Sequence, residues 1–487
     1  MMEKSILIAA VSKDPFETNA LNDGFVRELL ERGIDARMIL PLHDSIEGIC
    51  ELDLSIIGDI ALTMDGRPVQ GTIKQGVMNG IITYLIDTPE YFNREKMFEN
   101  PDDAERFSYY CRAVLASLAC IGFEPDIIHC EDWPAAFIPF LLRANYGGLE
   151  QYKGTQTVLT FNSFAHQGVF DRENSIYLDM DWDSIKDCGL DYYDQINFLK
   201  AGLLYADVLT TVSPNYALEI QTEIWGQTLE DFAIKRRDDL HGILNGADPA
   251  KYDPATDRRL HANYSIGNME GKARNKAKVQ AAHGLAARED VPLLVSSFRM
   301  TSEHGAELLQ YAIGDLLKAD IQFILMITRD DALYTESEKE IFINFFQAEA
   351  DKHPDKFRFL SFDEDELFRL IAGADLYLMP ASEPCGIGHL IAMRYGTVPI
   401  VKHTGGAVDT VQPFCEQSRE GTGFCFKYAN EKVLLYQARK AVGLYSRTDV
   451  WQELVENGMR EQFSQKHYAE QYIALYDKLI HGKYVTV

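Results

Sequence analysis

Apolar runs of strand length recur through the first half of the chain at 5–11, 36–41, 81–87, 126–130, 157–162, 208–213 and 242–245. Between several of them the spacing changes to three and four. Asn22 to Arg32 carries a stripe of Phe25, Leu29 and Leu30, and Ala104 to Ala119 repeats aromatic and aliphatic residues at helical intervals. Alternation of this kind predicts crossover βαβ units and a largely parallel sheet. The second half repeats the scheme at 293–298, 322–327, 357–362, 376–380, 398–402 and 423–426. Between the halves, Pro249, Pro254 and the polar run 253–259 break the periodicity as a linker does. The expectation is an α/β protein of two Rossmann-like, doubly wound domains, 1–246 and 247–468. The closing segment 469–487, helix-like over 469–480, is read as packing back on the first domain.

Composition narrows the partners. A chain of 487 residues, 46% hydrophobic and 25% charged, holds more than one core usually does, at about 100–200 residues per domain. A formal charge of −27 argues against a surface for nucleic acid or anionic lipid, which need clustered Lys and Arg, and leaves a neutral polymer compatible. No run approaches 18 consecutive apolar residues, and Met1-Met2-Glu3-Lys4 leads into a strand without a signal peptide's apolar core, so a cytoplasmic location is expected. The eight cysteines form no Cys-x-x-Cys pair and no short Cys/His metal spacing; they are read as reduced and mostly buried.

Candidate chemistry concentrates after two strands of the second half. Glu383-Pro384-Cys385-Gly386 lies between a strand-like run ending at Pro380 and a helix-like stretch from His389 to Tyr395. It brings a carboxylate and free backbone N–H groups to the place where an open α/β sheet binds its ligand. Thr404-Gly405-Gly406 forms a second such turn after the next strand, and two neighbouring turns of this type suit a sugar diphosphate. No Gly-x-Gly-x-x-Gly follows a strand and no Walker sequence is present, which argues against nicotinamide and Walker-type nucleotide sites. Asp363-Glu364-Asp365-Glu366 contains an Asp-x-Asp, but an acidic run after a strand is more often a solvated loop, so no metal and no cofactor is expected.

The order of short blocks then becomes specific. Tyr91-Phe92-Asn93-Arg94, Ala104-Glu105-Arg106-Phe107, Asp126-Ile127-Ile128-His129 with Asp132-Trp133, and Thr210-Thr211-Val212-Ser213-Pro214-Asn215-Tyr216 occur in the first half. Gly242-Ile243-Leu244-Asn245-Gly246, Asn263-Tyr264-Ser265, Gly271 to Lys276, Ala372 to Asp375 and Met393 to Thr397 follow. Together they resemble the bacterial glycogen synthases and starch synthases, retaining glucosyltransferases of the GT-B fold that use ADP-glucose. The resemblance implies two domains facing across a cleft, a nucleotide-sugar donor and an α-glucan acceptor. It places Glu383 beside the transferred glucose, Arg299 on the donor diphosphate, Asn245 in the donor site, Asp132 near the sugar, and Phe362 against the nucleotide base. Gly386, Thr404, Gly405 and Gly406 complete the donor side. Each residue also has a plainer role open to it: helix capping for Glu383 and Asp132, turn formation for Asn245, core packing for Phe362.

Three positions depart from the family pattern, all on the chemistry. The Lys-Thr-Gly-Gly-Leu-Gly-Asp loop reads Glu17-Thr18-Asn19-Ala20-Leu21-Asn22-Asp23, one residue shorter counted from Pro15-Phe16, and its Cβ atoms and carboxylate suit phosphate less well. The family's active-site histidine corresponds to Asn162, which accepts and donates hydrogen bonds but carries no proton. His166, where the family has tyrosine, lies close by in sequence and is a candidate compensation. The second phosphate-binding cation, a lysine, corresponds to His304. Two readings stay open at this point. One is a glucosyltransferase extending an α-1,4-glucan from a nucleotide-glucose; the other is a catalytically weak paralogue that binds glucan, nucleotide or a partner synthase in a regulatory role.

Overall fold

The computed structural model describes residues 4–11, 23–43, 46, 49, 52–94, 96–247, 251–299, 305–328, 336–380, 384 and 386–482, residues 299, 328 and 336–339 by their backbone alone. The chain divides into two compact units. Unit 1 comprises Met1–Asn245 with Gln465–Val487, and unit 2 comprises Gly246–Ser464. Among the described residues no helix is long and apolar enough to cross a membrane.

Among the described residues, unit 1 is built on a nine-stranded sheet. Seven strands run parallel in the spatial order Leu240–Gly242, Val208–Thr211, Gln156–Phe161, Ile127–Glu131, Ser5–Ala9, Asp35–Pro41, Ile81–Asp87. The order reverses between the strand Ser5–Ala9 and the strand Ile127–Glu131, as in a doubly wound sheet. The last predicted strand lies earlier than expected, at Leu240–Gly242 rather than 242–245. Gly242 is already pressed so closely on Ser213 and Pro214 that no side chain fits, and the chain turns away there.

Two strands were not foreseen. Arg67–Met78 pairs antiparallel with Ile81–Asp87, and Ser55–Met64 antiparallel with Arg67–Met78. Their turns are the pairs Asp65-Gly66, with φ of 48° and 68°, and Asn79-Gly80, with φ of 50° and 83°. Two successive positive φ values match the right-handed twist of the flanking strands, which is why Asn-Gly and Asp-Gly dominate two-residue hairpins.

The helix Gln465–Ile480 belongs to unit 1. It buries Tyr468, Tyr472 and Tyr476 at four-residue spacing in the same core as Phe25, Ile6 and Val158. Burying an aromatic side chain is worth roughly 2–3 kcal/mol, but its hydroxyl must find a partner. Tyr476 Oη lies 2.6 Å from His129 Nδ1, and His129 Nε2 lies 2.6 Å from Thr160 Oγ1. Thr160 meets Thr210 at 2.5 Å, and Tyr472 Oη lies 3.1 Å from both threonines. The network spans three adjacent strands and has no route to water. Burial accordingly holds the His129 imidazole neutral, its pKa pushed down to about 3 from 6.5.

Among the described residues, unit 2 has a six-stranded, wholly parallel sheet in the order Phe357–Ser361, Gln322–Thr328, Leu293–Arg299, Leu376–Met379, Val398–Lys402, Phe424–Phe426. All six strands are those expected from the apolar runs. In chain order this is 3-2-1-4-5-6, so the switch point falls between Leu293–Arg299 and Leu376–Met379.

Several of the family-like blocks form the frame beneath this edge. Lys272 Nζ donates to Tyr395 O at 2.8 Å, Thr397 Oγ1 at 2.8 Å and Ala372 O at 3.3 Å. Tyr264 Oη donates to the same two carbonyls, and Tyr395 Oη donates to Asp257 Oδ2 at 2.5 Å. Lys276 Nζ pairs with Asp375 Oδ2 at 2.7 Å, and that carboxylate also accepts the Leu293 N–H at 2.7 Å. These groups fix where the helix Gly388–Arg394 ends and where the two strands at and beside the switch point begin.

Two outcomes follow. Unfolded histidine takes up a proton near pH 6.5 while native His129 does not, so acidification below that pH favours the unfolded chain by up to about 1.4 kcal/mol per pH unit. His389, buried and pushed down to about 4, acts in the same direction. Urea unfolding at pH 5.0 and 6.5 is expected to show a shallower pH slope for His129→Gln than for the wild type; an equal slope contradicts the neutral histidine. Lys272→Met, which fills the space but removes the ammonium from three acceptors, leaving Tyr264 Oη alone to serve the two carbonyls, is expected to lower stability by about 2–3 kcal/mol in the same measurement.

Candidate functional site

In unit 2 the loops leaving the carboxyl ends of three strands close on one another. Arg299 is the last residue of its strand, in register with Thr328. The chain returns at Gly305 with φ of 92°, where a Cβ would stand 2.8 Å from Pro380, the residue after the adjacent switch-point strand. Gly305 then opens the eleven-residue helix Ala306–Leu316, whose unpaired N–H groups and positive dipole end lie at this edge.

The third loop seats on the second. Gly405 has φ of 54° and ψ of −141°, and a Cβ there would come 2.7 Å from Pro384 Cα. The Gly406 N–H donates to Pro384 O at 3.2 Å. His389 Nε2 and Thr410 Oγ1, 2.8 Å apart, tie together the helices that follow the two loops, and Tyr377 Oη leaves no space for a side chain at Gly388. Thr404 is buried, and Gly386 is half-buried. Glu383 and His304 lie outside the described residues, and Arg299 is described by its backbone alone. Phe362 follows the strand Phe357–Ser361, two strands from the switch point, and is half-buried.

The acidic run beside it is structural. The Asp363 carboxylate accepts the Glu366 N–H at 2.8 Å and caps the helix Glu364–Gly373. Glu366 meets His283 at 2.8 Å and Arg369 at 3.1 Å, and Glu364 lies 3.7 Å from Lys251. Among the described residues no cluster of His, Cys, Asp and Glu is arranged to hold a metal ion.

In unit 1 the site begins where the strands Ile127–Glu131 and Gln156–Phe161 end side by side. Asp132 and Asn162 are the next residues of each. The Asp132 carboxylate accepts the Asn162 backbone N–H at 2.8 Å through Oδ1 and the Asn162 Nδ2–H at 2.6 Å through Oδ2. Asp132 has φ of 54°, a conformation that is costly without glycine and that concentrates at functional positions. It is the first residue of the short helix Asp132–Ala135, whose N-cap position is Glu131. Asn162 is 9% exposed, and its Oδ1 is buried without a hydrogen-bond partner among the described residues.

The following segment, Asn162 to Gly168, is pinned along its length. Gly168, with φ of 62°, lies against the face of Trp133, leaving no room for a side chain. Trp133 in turn packs edge-on to Phe107, 4.8 Å between ring centroids, and to Phe170 at 5.7 Å. Tyr216 Oη accepts the Phe164 N–H at 3.0 Å, while Gln167 donates to Phe164 O and Gln227 O, each at 2.9 Å, and accepts from Asn197 at 2.6 Å. His166 is exposed. Asn245 is half-buried at the end of unit 1. Glu17, Thr18 and Asn19 lie outside the described residues. Trp133 and Tyr216 appeared in the sequence only as parts of motifs; the glycine of Gln167-Gly168 was the available signal that an aromatic ring lies under the loop.

Known proteins can now be set beside this geometry. The starch synthase catalytic domain family matches residues 22–235, and the glycosyl transferases group 1 family matches residues 280–448. A glycogen synthase of Geobacillus thermodenitrificans is 38% identical over 459 residues, covering 93% of this chain and 92% of that protein. That of Syntrophotalea carbinolica is 37% identical over 489 residues, covering 98% and 99%. The catalytic domain of starch synthase IV from Arabidopsis thaliana, solved bound to ADP and acarbose, superposes with a TM-score of 0.89 at 28% identity, covering 98% of this chain and 99% of that one. Sucrose-phosphate synthase from Thermosynechococcus elongatus, at 16% identity and a TM-score of 0.61, shares the fold alone. Identity of this extent over nearly the full length of both chains, on a GT-B fold, means that this protein belongs to the glycogen synthase and starch synthase family of glucosyltransferases.

Proposed function

We propose that the protein transfers glucose from ADP-glucose to the non-reducing end of an α-1,4-glucan with retention of configuration. The observation that carries the donor half is the packing at the switch point of unit 2, where Gly305 seats on Pro380 and Gly405 on Pro384. Backbone approaches this close keep N–H groups free of side-chain cover at the edge where α/β sheets bind phosphates.

In this reading Arg299 and the N-terminal end of the helix Ala306–Leu316 take the donor diphosphate, with His304 supplying a further contact. Charge grows on the diphosphate as the bond from C1 to its oxygen lengthens, so a fixed cation and aligned dipoles lower the barrier more than they tighten the ground state. Glu383 faces the transferred sugar and stabilises its oxocarbenium character. Phe362 stacks on the adenine, and Thr404, Gly405 and Gly406 line the phosphate turn. Asn245 hydrogen-bonds the donor, and Glu17, Thr18 and Asn19 form the acceptor-side loop with His166.

Asn162 receives the most defined role. Asp132 takes its backbone N–H and one of its two Nδ2–H groups, and thereby fixes the orientation of the amide, whose oxygen can only accept. Such a group suits a sugar hydroxyl, which donates, and repels a phosphate oxygen. The acceptor's 4-hydroxyl attacks C1 from the face the diphosphate leaves, and its proton passes to the departing diphosphate, since Asn162 can take none. The protein needs no cofactor in this scheme, and the acceptor is a neutral polymer, as the charge of −27 allows.

Purified protein is expected to incorporate radiolabel from ADP-glucose into glycogen, and Glu383→Ala to abolish incorporation with an unchanged circular dichroism spectrum. No incorporation from ADP-, UDP- or GDP-glucose by the wild type would overturn the reading. Gly405→Ala is expected to raise KM for the nucleotide-glucose about 10-fold, because the new methyl group forces the phosphate turn off Pro384. A variant with an unaltered donor KM removes that turn from the donor site.

A further inference from the structure

The pinned segment Asn162–Gly168 runs directly into a small antiparallel sheet that the proposed chemistry does not use. The strand Val169–Asp171 pairs with Gln195–Asn197, which pairs with Asp191–Tyr192. The hairpin between the last two turns on Tyr193 and Asp194, with φ of 48° and 63°. An aromatic side chain is a poor choice for this left-handed backbone, where glycine or asparagine serves better. Its ring is nevertheless turned out to solvent, with Tyr193 76% exposed, the highest value among the exposed tyrosines.

The tip is held rigidly. The buried Lys200 ammonium donates to the Asp191 carbonyl, and Tyr192 Oη is hydrogen-bonded to Thr228 Oγ1. Gln227 and Thr228 are themselves left-handed, with φ of 48° and 69°, and Gln227 O accepts from Gln167. Gln195 Nε2 donates to Asp171 Oδ1 at 3.2 Å, and Arg172 lies 3.4 Å from the Asp194 carboxylate. The Tyr193 and Tyr192 rings meet in a T-shaped contact, 4.9 Å between centroids at 78°, and most of the Tyr193 side chain stays in solvent. Backbone strain, loss of ring freedom and exposure of an apolar face all coincide at one residue.

The surrounding charge selects the occupant. Between Asp171 and Asp194 there are eight carboxylates against two cations, Arg172 and Lys186. Anionic ligands are repelled there, whereas a polyhydroxylated neutral polymer offers hydroxyl donors to carboxylates and C–H faces to an aromatic ring. At about 3.3 Å per strand residue, the tip lies roughly 10 Å along the strand from Gly168, where the pinned segment ends.

We propose that Tyr193 is a stacking platform for the α-glucan chain, a secondary sugar subsite that holds long acceptors some distance from their reacting end. This rests on the reading of the protein as a glucan-extending enzyme. Affinity for glycogen, measured by retardation of the full-length protein in native gels without any nucleotide-sugar, tests it independently of glucose transfer. Tyr193→Ala is expected to bind glycogen about 5- to 10-fold more weakly and Tyr193→Trp to restore binding, with maltotriose affinity, measured by calorimetry, changed less than 2-fold in both. Tyr193→Asn, which suits the left-handed backbone, is expected to lose glycogen affinity while melting at or above the wild-type temperature.

Wild-type affinity in Tyr193→Ala, an equal loss on maltotriose, or a loss of affinity accompanied by a several-degree fall in Tm overturns the proposal. So does a dimer seen by sedimentation that Tyr193→Ala converts to monomer with glycogen binding intact, since the ring then serves a second copy of the chain. A wild type that binds glycogen as expected but transfers no glucose counts against the proposed reaction and leaves the platform standing.

Discussion

Where the strand order of a parallel sheet reverses, the loops leaving the two central strands part toward opposite faces, and backbone between them is left without neighbours from the sheet. Both units of this protein are built around that constraint. In unit 2 the gap is closed by backbone seated on proline. Gly305 lies against Pro380 and Gly405 against Pro384, at separations that admit no Cβ. A methyl group at either glycine pushes the chain off the facing proline, so under the proposed function the donor side depends on these packing contacts as well as on charged residues.

Unit 1 solves the same problem with a hydrogen-bonded clamp. Asp132 and Asn162 end adjacent strands, and the carboxylate holds both the amide side chain and its backbone N–H. Asp132 makes this contact across the sheet from a left-handed backbone. Beneath the clamp, the network of His129, Thr160, Thr210, Tyr472 and Tyr476 ties the same strands to the C-terminal helix. Position, strain and support thus lie in one column of the structure, from the buried tyrosines up to Asn162.

The sequence conveyed some of this and not the rest. All six strands of unit 2 were legible because a parallel strand covered on both faces is a continuous apolar run, as in Leu293–Arg299 and Val398–Lys402. The strand Ser55–Met64 was not legible, because half of it is exposed and its composition is mixed; only Asp65-Gly66 and Asn79-Gly80 announced the hairpins. The family resemblance singled out Asp132 and Asn162 separately. It could not reveal that they bind each other, since residues thirty apart meet only through strand register. Lys272, Tyr264 and Asp375, which belong to the shared motifs, prove to be buried framework.

The departures from the family pattern also acquire a physical meaning. Replacing histidine by asparagine at position 162 exchanges a group that titrates for one that Asp132 fixes as a permanent acceptor. Under the proposed function this gives the site a fixed partner for a sugar hydroxyl and no proton transfer at that point. The central claim is that the carboxyl edge of unit 2, at its switch point, receives the nucleotide diphosphate. Hydrogen–deuterium exchange with and without ADP tests it most directly. The account predicts slowed exchange in peptides covering 299–308, 381–389 and 403–407; protection confined to other segments, or none at saturating ADP, would contradict it.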